Sequence, residues 1–347
     1  MRILSVAAAI PTLARNNDDI VQCMRRESVE TGSELVEQYI RLSRSLLNRA
    51  GSRNRFWRNR DEGETTRQLL LRAISNAFEH AGVQAADVDL LIYCGVGRGF
   101  VEPGNAYFCA KMMHMQCECF DVSDACMSYV RALEIAQAFF ATRKHHCILV
   151  VNAECAVYEY GYPELFKIRS LEQLRYTFPA YTIGEAVTAT LVAPDGNDWR
   201  FTYDSNPALA NLCTIPAEGF RDFVGEDETI EHLRVGRFFS FGTELFRVAV
   251  ERLSELCYTA IESMVQPDLW IPHAAAKTPC VEIANRLGLE HESVYYKIFG
   301  THGNLASASI PTAMWSALSE RKLQRGMNVA LVSASAGMSF AVVTFTY

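Results

Sequence analysis

Apolar runs of strand length punctuate the whole chain: RILSVAAAI (2–10), DLLIYCGVG (89–97), HCILVVNAE (146–154), TATLVAP (188–194), DLWIPHAAA (268–276), NVALVSASA (328–336) and FAVVTFTY (340–347). Between them, residues 64–82 and 242–264 carry apolar side chains at helical spacing, the first of these ending at Gly82. This alternation predicts an α/β protein with mixed sheets buried between helices. Each long helical segment leads, after a short link, into an apolar strand: ADVDLLIYCG in the first half, QPDLWIPHAAA in the second. One supersecondary unit used twice predicts an internally duplicated fold. Two stretches lack a clear period, residues 42–64 and 207–232. The second is too long for a plain connection and reads as a lid or a tunnel wall.

The pattern switches period once within a few residues. In FDVSDACMSYVRAL (120–133), Phe120 and Val122 alternate with Asp121 and Ser123, and then Tyr129, Val130 and Leu133 recur at helical spacing. Cys126 therefore sits near a strand-to-helix turn, where unpaired N–H groups and the helix dipole favour a thiolate. A nucleophilic cysteine also needs a base and donors for an oxyanion. Taken alone, Cys126 reads equally as a small buried thiol, free cysteine being among the most buried residue types.

Composition narrows the classes. The 347 residues are 49% hydrophobic and 21% charged, as expected of a large folded core rather than a disordered chain. A net charge of −7 argues against a general nucleic-acid binder, which needs a basic surface. No run approaches the ~18 apolar residues of a membrane helix. The apolar N-terminus meets Pro11 too early for a signal peptide. The eleven cysteines form no CxxC pair, and the CEC at Cys117 and Cys119 is too tight for a zinc knuckle. Reduced thiols in a cytoplasmic protein, with no metal, are the simplest expectation.

Two later stretches change the weight on Cys126. His273 lies just past the end of an apolar strand, where open α/β sheets place ligand-handling groups, although a satisfied loop histidine fits the same pattern. In GTHGNLASASIP, Asn304 follows Gly303 and opens a run of small residues into a helix. It would serve there as a helix cap or beside a narrow channel that admits close backbone approach.

Cys126 in DVSDACMSYVRALEIA, His273 in WIPHAAA and Asn304 in GNLASASIP together resemble the Cys–His–Asn set of the thiolase superfamily. The likeness is greatest to the β-ketoacyl-acyl-carrier-protein synthase III-like condensing enzymes. GTELFRVAVERL, YTIGEAVTATLVAP and NVALVSASAGMSFAVVTF also resemble segments of that family, so the similarity spans nearly the whole chain.

The resemblance implies a thiolase-like, duplicated five-layer αβαβα fold and a homodimer. One half, residues 1–196, would carry the cysteine; the other, residues 197–347, the histidine and asparagine. It further implies that Cys126 accepts an acyl group from a CoA or carrier-protein thioester. His273 and Asn304 would then hold the second thioester and stabilise its enolate. The N–H groups of Cys126 and Ala336 would form the oxyanion hole of the first step, and Arg49 would meet the CoA pyrophosphate. No metal or redox cofactor enters that chemistry; acyl-CoA or an acyl carrier protein is the substrate, and no nucleic acid or membrane is involved.

Departures from the family pattern point to a specialised relative. The motif His-Gln-Ala-Asn reads His273, Ala274, Ala275, Ala276 here, and a carrier-docking basic position is Thr278. The C-terminal motif keeps only Gly337. Glu102, directly before Pro103, stands where housekeeping enzymes carry an apolar residue that crosses the dimer. In the head-to-head acyl-condensing and α-pyrone-forming offshoots a glutamate at this place acts in trans as a base, and burial in an apolar tunnel would raise its pKa. An ordinary solvated glutamate fits the local sequence as well. Arg53, Arg55, Arg58 and Arg60 would meet phosphates or an acidic carrier, or form a solvated charged loop.

The expected function is thus a Claisen-type condensation of two acyl thioesters through an acyl-cysteine, in specialised metabolism. Two alternatives stand beside it. One is acyl transfer to an oxygen or nitrogen nucleophile, whose known practitioners tend to lack the asparagine. The other is a non-catalytic partner subunit of a heterodimer, which would usually lack the cysteine or the histidine.

Overall fold

In the computed structural model, which describes residues 1–196, 199–225, 233–262 and 266–347, the apolar runs become two sheets. The first contains β1 (Arg2–Ala9), β2 (Leu90–Cys94), β3 (Glu118–Val122), β4 (Ile148–Glu154) and β5 (Ala186–Ala193) in the order β1-β5-β4-β2-β3. Within it β2 runs parallel to β3 and β4, while β5 is antiparallel to both its neighbours. The second contains β6 (Arg200–Ser205), β7 (Leu269–Pro272), β8 (Asn328–Ser335) and β9 (Ser339–Thr346) in the order β7-β8-β9-β6. Here β7 and β8 are parallel and the other pairs antiparallel.

Five helices matter to the site: α1 (Thr66–Ala81), α2 (Ser128–Ala141), α3 (Gly242–Glu262), α4 (Lys277–Arg286) and α5 (Ser309–Ser319). The start of α1 is fixed by Thr65, which forms a capping box with Gln68. Its end is fixed by Gly82, whose φ of 65° is left-handed and whose N–H reaches back to Glu79 and Phe78.

The strands are apolar on both faces because both faces are covered. Along β2, Leu90 and Ile92 point into a central core while Leu91 and Tyr93 point outward onto α1. Along β8, Val329 and Leu331 face the same central core while Ala330 and Val332 face α3. The middle core is filled by α2 and α5, with Leu133 and Met314 fully buried. Truncating such a leucine to alanine costs about 2–5 kcal/mol. The layers are therefore helix, sheet, helix, sheet, helix, the thiolase-like αβαβα arrangement.

Two further helices, Asn17–Glu27 and Ser33–Ala50, the second running into the stretch 42–64 that lacked a clear period, build another apolar cluster, with Trp57, Phe166 and Tyr181 in edge-to-face contact and Tyr39 Oη bonded to Tyr181 Oη at 2.7 Å. This cluster corrects the reading of the arginine stretch. Arg55 and Arg58 are buried, not solvated or phosphate-facing. Arg58 pairs with the fully buried Glu185 at 2.9 Å and with Glu159 at 2.8 Å, and Arg60 pairs with Glu159 at 2.5 Å. Arg55 donates to Ser52 and Asn17, and its burial without a paired carboxylate lowers its pKa to about 10.

Candidate active site

Cys126 occupies a single tight turn, Ala125–Met127, between the end of β3 and the start of α2. The strand-to-helix reading holds. The turn is pinned from the other half of the molecule: Ser335 Oγ, at the end of β8, accepts from Met127 N at 3.2 Å and donates to Asp124 O at 3.3 Å. Ala336 follows at once, so one hydroxyl fixes two main-chain segments relative to each other. The N–H groups of Cys126 and Ala336 have no acceptor among the described residues.

The thiol is half-buried and opens onto a cavity. Burial pushes its pKa well above the usual range, and Cys213, Glu154 and Asp124 push the same way. The resting group is a thiol, not the helix-activated thiolate that position alone suggested. His273 follows β7 and is anchored by its N–H on Val332 O at 2.7 Å. Burial lowers its pKa to about 4, which leaves a neutral imidazole whose Nδ1 has no partner among the described residues.

Asn304 is buried, and its main chain is stitched to the first half. Its N–H donates to Thr182 O at 2.9 Å, and its carbonyl accepts from Gly184 N at 3.0 Å. Its Oδ1 accepts from Ala306 N at 2.9 Å, two residues on; the cap positions of the next turn and helix are Leu305 and Ala308, so Asn304 is not the helix cap that the sequence also allowed. The Oδ1 bond fixes the amide plane and leaves Nδ2 without a partner among the described residues.

Cys126, His273, Asn304 and Ala336, supplied by four separate segments, all line one cavity of about 1190 Å³. The walls are mainly apolar. Arg49 and Thr278, both exposed, mark its opening, and Thr278 Oγ1 donates to Arg49 O at 3.1 Å. Cys213–Ala217 form part of the wall, as expected for the stretch 207–232, whose last residues, 226–232, lie outside the described ones.

The family model of the 3-oxoacyl-[acyl-carrier-protein] synthase III C terminal matches residues 263–347. Over 98% of its length the chain is 26% identical to the β-ketoacyl-[acyl-carrier-protein] synthase III of Natranaerobius thermophilus, covering 97% of that protein. It is 27% identical to that of Coxiella burnetii, with the same coverage. The fold is shared with the synthase III of Aquifex aeolicus at a TM-score of 0.79 and 22% identity, over 100% of this chain and 99% of that one. It is shared with Xanthomonas campestris OleA, in a form with bound lauric acid and lauroyl-CoA, at 0.80 and 19%, over 99% and 98%. The chain is similar to β-ketoacyl-acyl-carrier-protein synthase III-like condensing enzymes and shares their thiolase-like fold.

Two features of this synthase III-like chain stand apart from the sequence reading. Glu102 is exposed and does not line the cavity. Glu154, at the end of β4, does line it, and the sequence did not single it out. Its Oε1 accepts from Val96 N at 3.1 Å and from both the N–H (3.3 Å) and the hydroxyl of Ser307; its Oε2 accepts from Gly97 N at 2.9 Å. Burial raises its pKa while these donors oppose the rise. Asn152, on the same strand, donates to Ser307 Oγ at 2.8 Å and to Cys94 O at 3.2 Å. Among the described residues no cluster of His, Cys, Asp and Glu suits a metal, and no helix is long and apolar enough to cross a membrane.

Proposed function

We propose that the protein joins two acyl thioesters in a Claisen-type condensation through an acyl-Cys126 intermediate. The observation that carries this is the convergence of Cys126, His273 and Asn304 on one largely apolar cavity. In the first step Cys126 Sγ attacks the thioester carbonyl while neutral His273 takes the thiol proton. The developing oxyanion is received by the Cys126 and Ala336 N–H groups, and the CoA or carrier thiol leaves with a proton. In the second, His273 and Asn304 Nδ2 donate to the carbonyl oxygen of the incoming thioester. This stabilises the enolate that forms when its α-proton is removed. Carbon–carbon bond formation then expels the Cys126 thiolate, which is reprotonated.

The base in this reading is the partner subunit's Glu102, within a homodimer. Support comes from the surroundings of Glu102: Phe100, Val101 and Tyr107 are 46%, 93% and 54% exposed, an apolar patch of the kind that marks a subunit interface. Val101 also lines the cavity, so this segment lies at the site's own edge. Arg49 at the opening is positioned for the phosphates of CoA or of a carrier's pantetheine arm, consistent with acyl thioesters as substrates and an acyl carrier protein as partner. Acyl transfer to an oxygen or nitrogen nucleophile would leave Asn304 without a role.

Intact-protein mass spectrometry after incubation with acyl-CoA tests the first step. The wild type gains the mass of the acyl group and Cys126→Ala does not. A Cys126→Ala chain that still loads would remove the nucleophile assignment. Asn304→Ala should load normally and release no condensed product; normal product formation would remove the second-step assignment.

A further inference from the structure

The turn that carries Cys126 is strained and is fastened from outside. Ala125 has a φ of 44°, in the left-handed region that a residue with a Cβ rarely adopts. Such a conformation persists only where its surroundings hold it. The turn Ala306–Ala308 of the second half has the same form, with a φ of 46° at Ala306. That turn is tied down by its own N–H groups: Ala306 N donates to Asn304 Oδ1 at 2.9 Å, and Ser307 N donates to Glu154 Oε1 at 3.3 Å. The nucleophile's turn cannot use the same device, because the N–H of Cys126 has to stay free for an oxyanion.

A different set of contacts closes around it. Asp124 stands directly before the turn and Arg131 lies in the first turn of α2; Arg131 Nε meets Asp124 Oδ2 at 3.2 Å. Arg131 Nη1 pairs with Glu134 at 2.7 Å, and its guanidinium lies 4.0 Å from the centre of the Tyr203 ring, on β6 of the second half. The main chain of Asp124 is bonded on both sides. Its N–H donates to Ser128 Oγ at 2.8 Å, and its carbonyl accepts from Met127 N at 2.9 Å and from Ser335 Oγ at 3.3 Å. A shift of the Asp124 carboxylate is therefore passed to Ala125 and Cys126. A bare carboxylate two residues before the nucleophile would also oppose both a thiolate and an oxyanion, and Arg131 neutralises it.

We propose that Asp124 and Arg131 are positioning residues for acyl loading, a clamp across the turn that holds the Cys126 N–H at the angle at which it meets the oxyanion. The inference rests on the condensing function proposed above. Ser123, Ala125 and Cys126 line the cavity, whereas Asp124 and Arg131 do not. Neither side chain touches the acyl group, so the effect of the clamp passes through the main chain of the turn. It bears on the rate of attack and not on the affinity for the thioester.

The test changes Asp124→Asn and Arg131→Met together, so that no bare carboxylate is left beside the thiol, with Arg131→Lys as the conservative variant. Four measurements are made on the full chain: melting temperature, the rate and half-saturation of loading from acyl-CoA, alkylation of Cys126 by iodoacetamide, and amide exchange of the peptide spanning residues 124–128. The two side chains are 33% and 30% exposed, so the melting temperature should move little. In the double variant the saturating rate of loading should fall at least about tenfold with half-saturation unchanged. Alkylation forms no oxyanion and should keep the wild-type rate, and Arg131→Lys should recover most of the loading. Loading at the wild-type rate in the double variant would overturn the proposal. So would an equal fall in loading and alkylation, which marks a displaced thiol rather than a misdirected N–H. If the wild type loads no acyl group from any thioester, the condensing function fails instead, and exchange still decides the clamp. Met127 N–H should then exchange faster in the double variant, and unchanged exchange would remove the clamp.

Discussion

Glu154 accepts both the hydroxyl and the main-chain N–H of Ser307, 153 residues further along the chain, and so ties β4 of the first half to the turn that carries Asn304. The same carboxylate holds Val96 and Gly97, which lead towards Glu102. Its hydrogen bonds are to a charged acceptor in a buried place, each worth about 1.5–3 kcal/mol. Replacing it by glutamine would set an amide N–H against the Gly97 N–H and leave a donor unpaired.

Glu154→Gln is therefore expected to lower stability by about 1–3 kcal/mol, read by urea denaturation. Condensation should fall more steeply than acyl loading when both are measured on folded protein. A purely structural role would lower the two steps together.

His273 should make the protein acid-sensitive. Its pKa is lowered to about 4 because the charged form cannot be buried, whereas the unfolded chain offers the ordinary value near 6.5. The stability contribution is complete above pH 6.5 and is lost as pH falls toward 4, an effect of about 3 kcal/mol. Urea denaturation at pH 7 and pH 4 should show this loss in the wild type and a smaller one in His273→Phe. The pH profile of condensation should likewise lack an acid limb near 6.5, since neutral His273 persists well below it.

Arg58 and Glu185 form a buried ion pair with further bonds to Cys155 O and Thr66 Oγ1. Removing one member strands the other's charge, which costs about 3–5 kcal/mol. Arg58→Met should lower the urea midpoint sharply, and Arg60→Met, at an exposed pair, should barely move it.

If Glu102 works across a dimer, two inactive chains should rescue each other. Cys126→Ala lacks the nucleophile and Glu102→Ala lacks the base, but a mixed dimer holds one complete site. Co-expression from differently tagged copies, with purification on both tags, should restore condensation of non-malonyl substrates. Mixed dimers as inactive as either parent would remove the trans base.

Much of this was legible in the sequence because its signals are local. The switch from period two to helical spacing around Cys126, the strand ending at His273 and the small-residue run after Asn304 each sit within about a dozen residues. Glu154 left no such trace: it ends an apolar strand, as polar residues often do, and three of its four donors are main-chain groups. Arg55 and Arg58 read as exposed because charged residues surround them in sequence, while the Glu185 that buries Arg58 lies 127 residues away. Cys280, Ile283 and Ala284 of α4 line the cavity, yet they have the spacing of any core-facing helix. Spacing alone does not distinguish a face against side chains from one against a void.

Gly184 faces the turn that delivers Asn304 so closely that an added Cβ would stand 2.0 Å from His302 O. With the Thr182 and Gly184 bonds to Asn304, this makes a short parallel bridge between the halves, Ile183 beside Asn304. The asparagine is thus gripped on both its N–H and its carbonyl by one short segment, Thr182 and Gly184, far from it in the chain. Any breathing of one half against the other moves its amide directly. The amides of Gly184 and Asn304 should therefore exchange with solvent together, and catalysis should fade with that opening well before the protein unfolds.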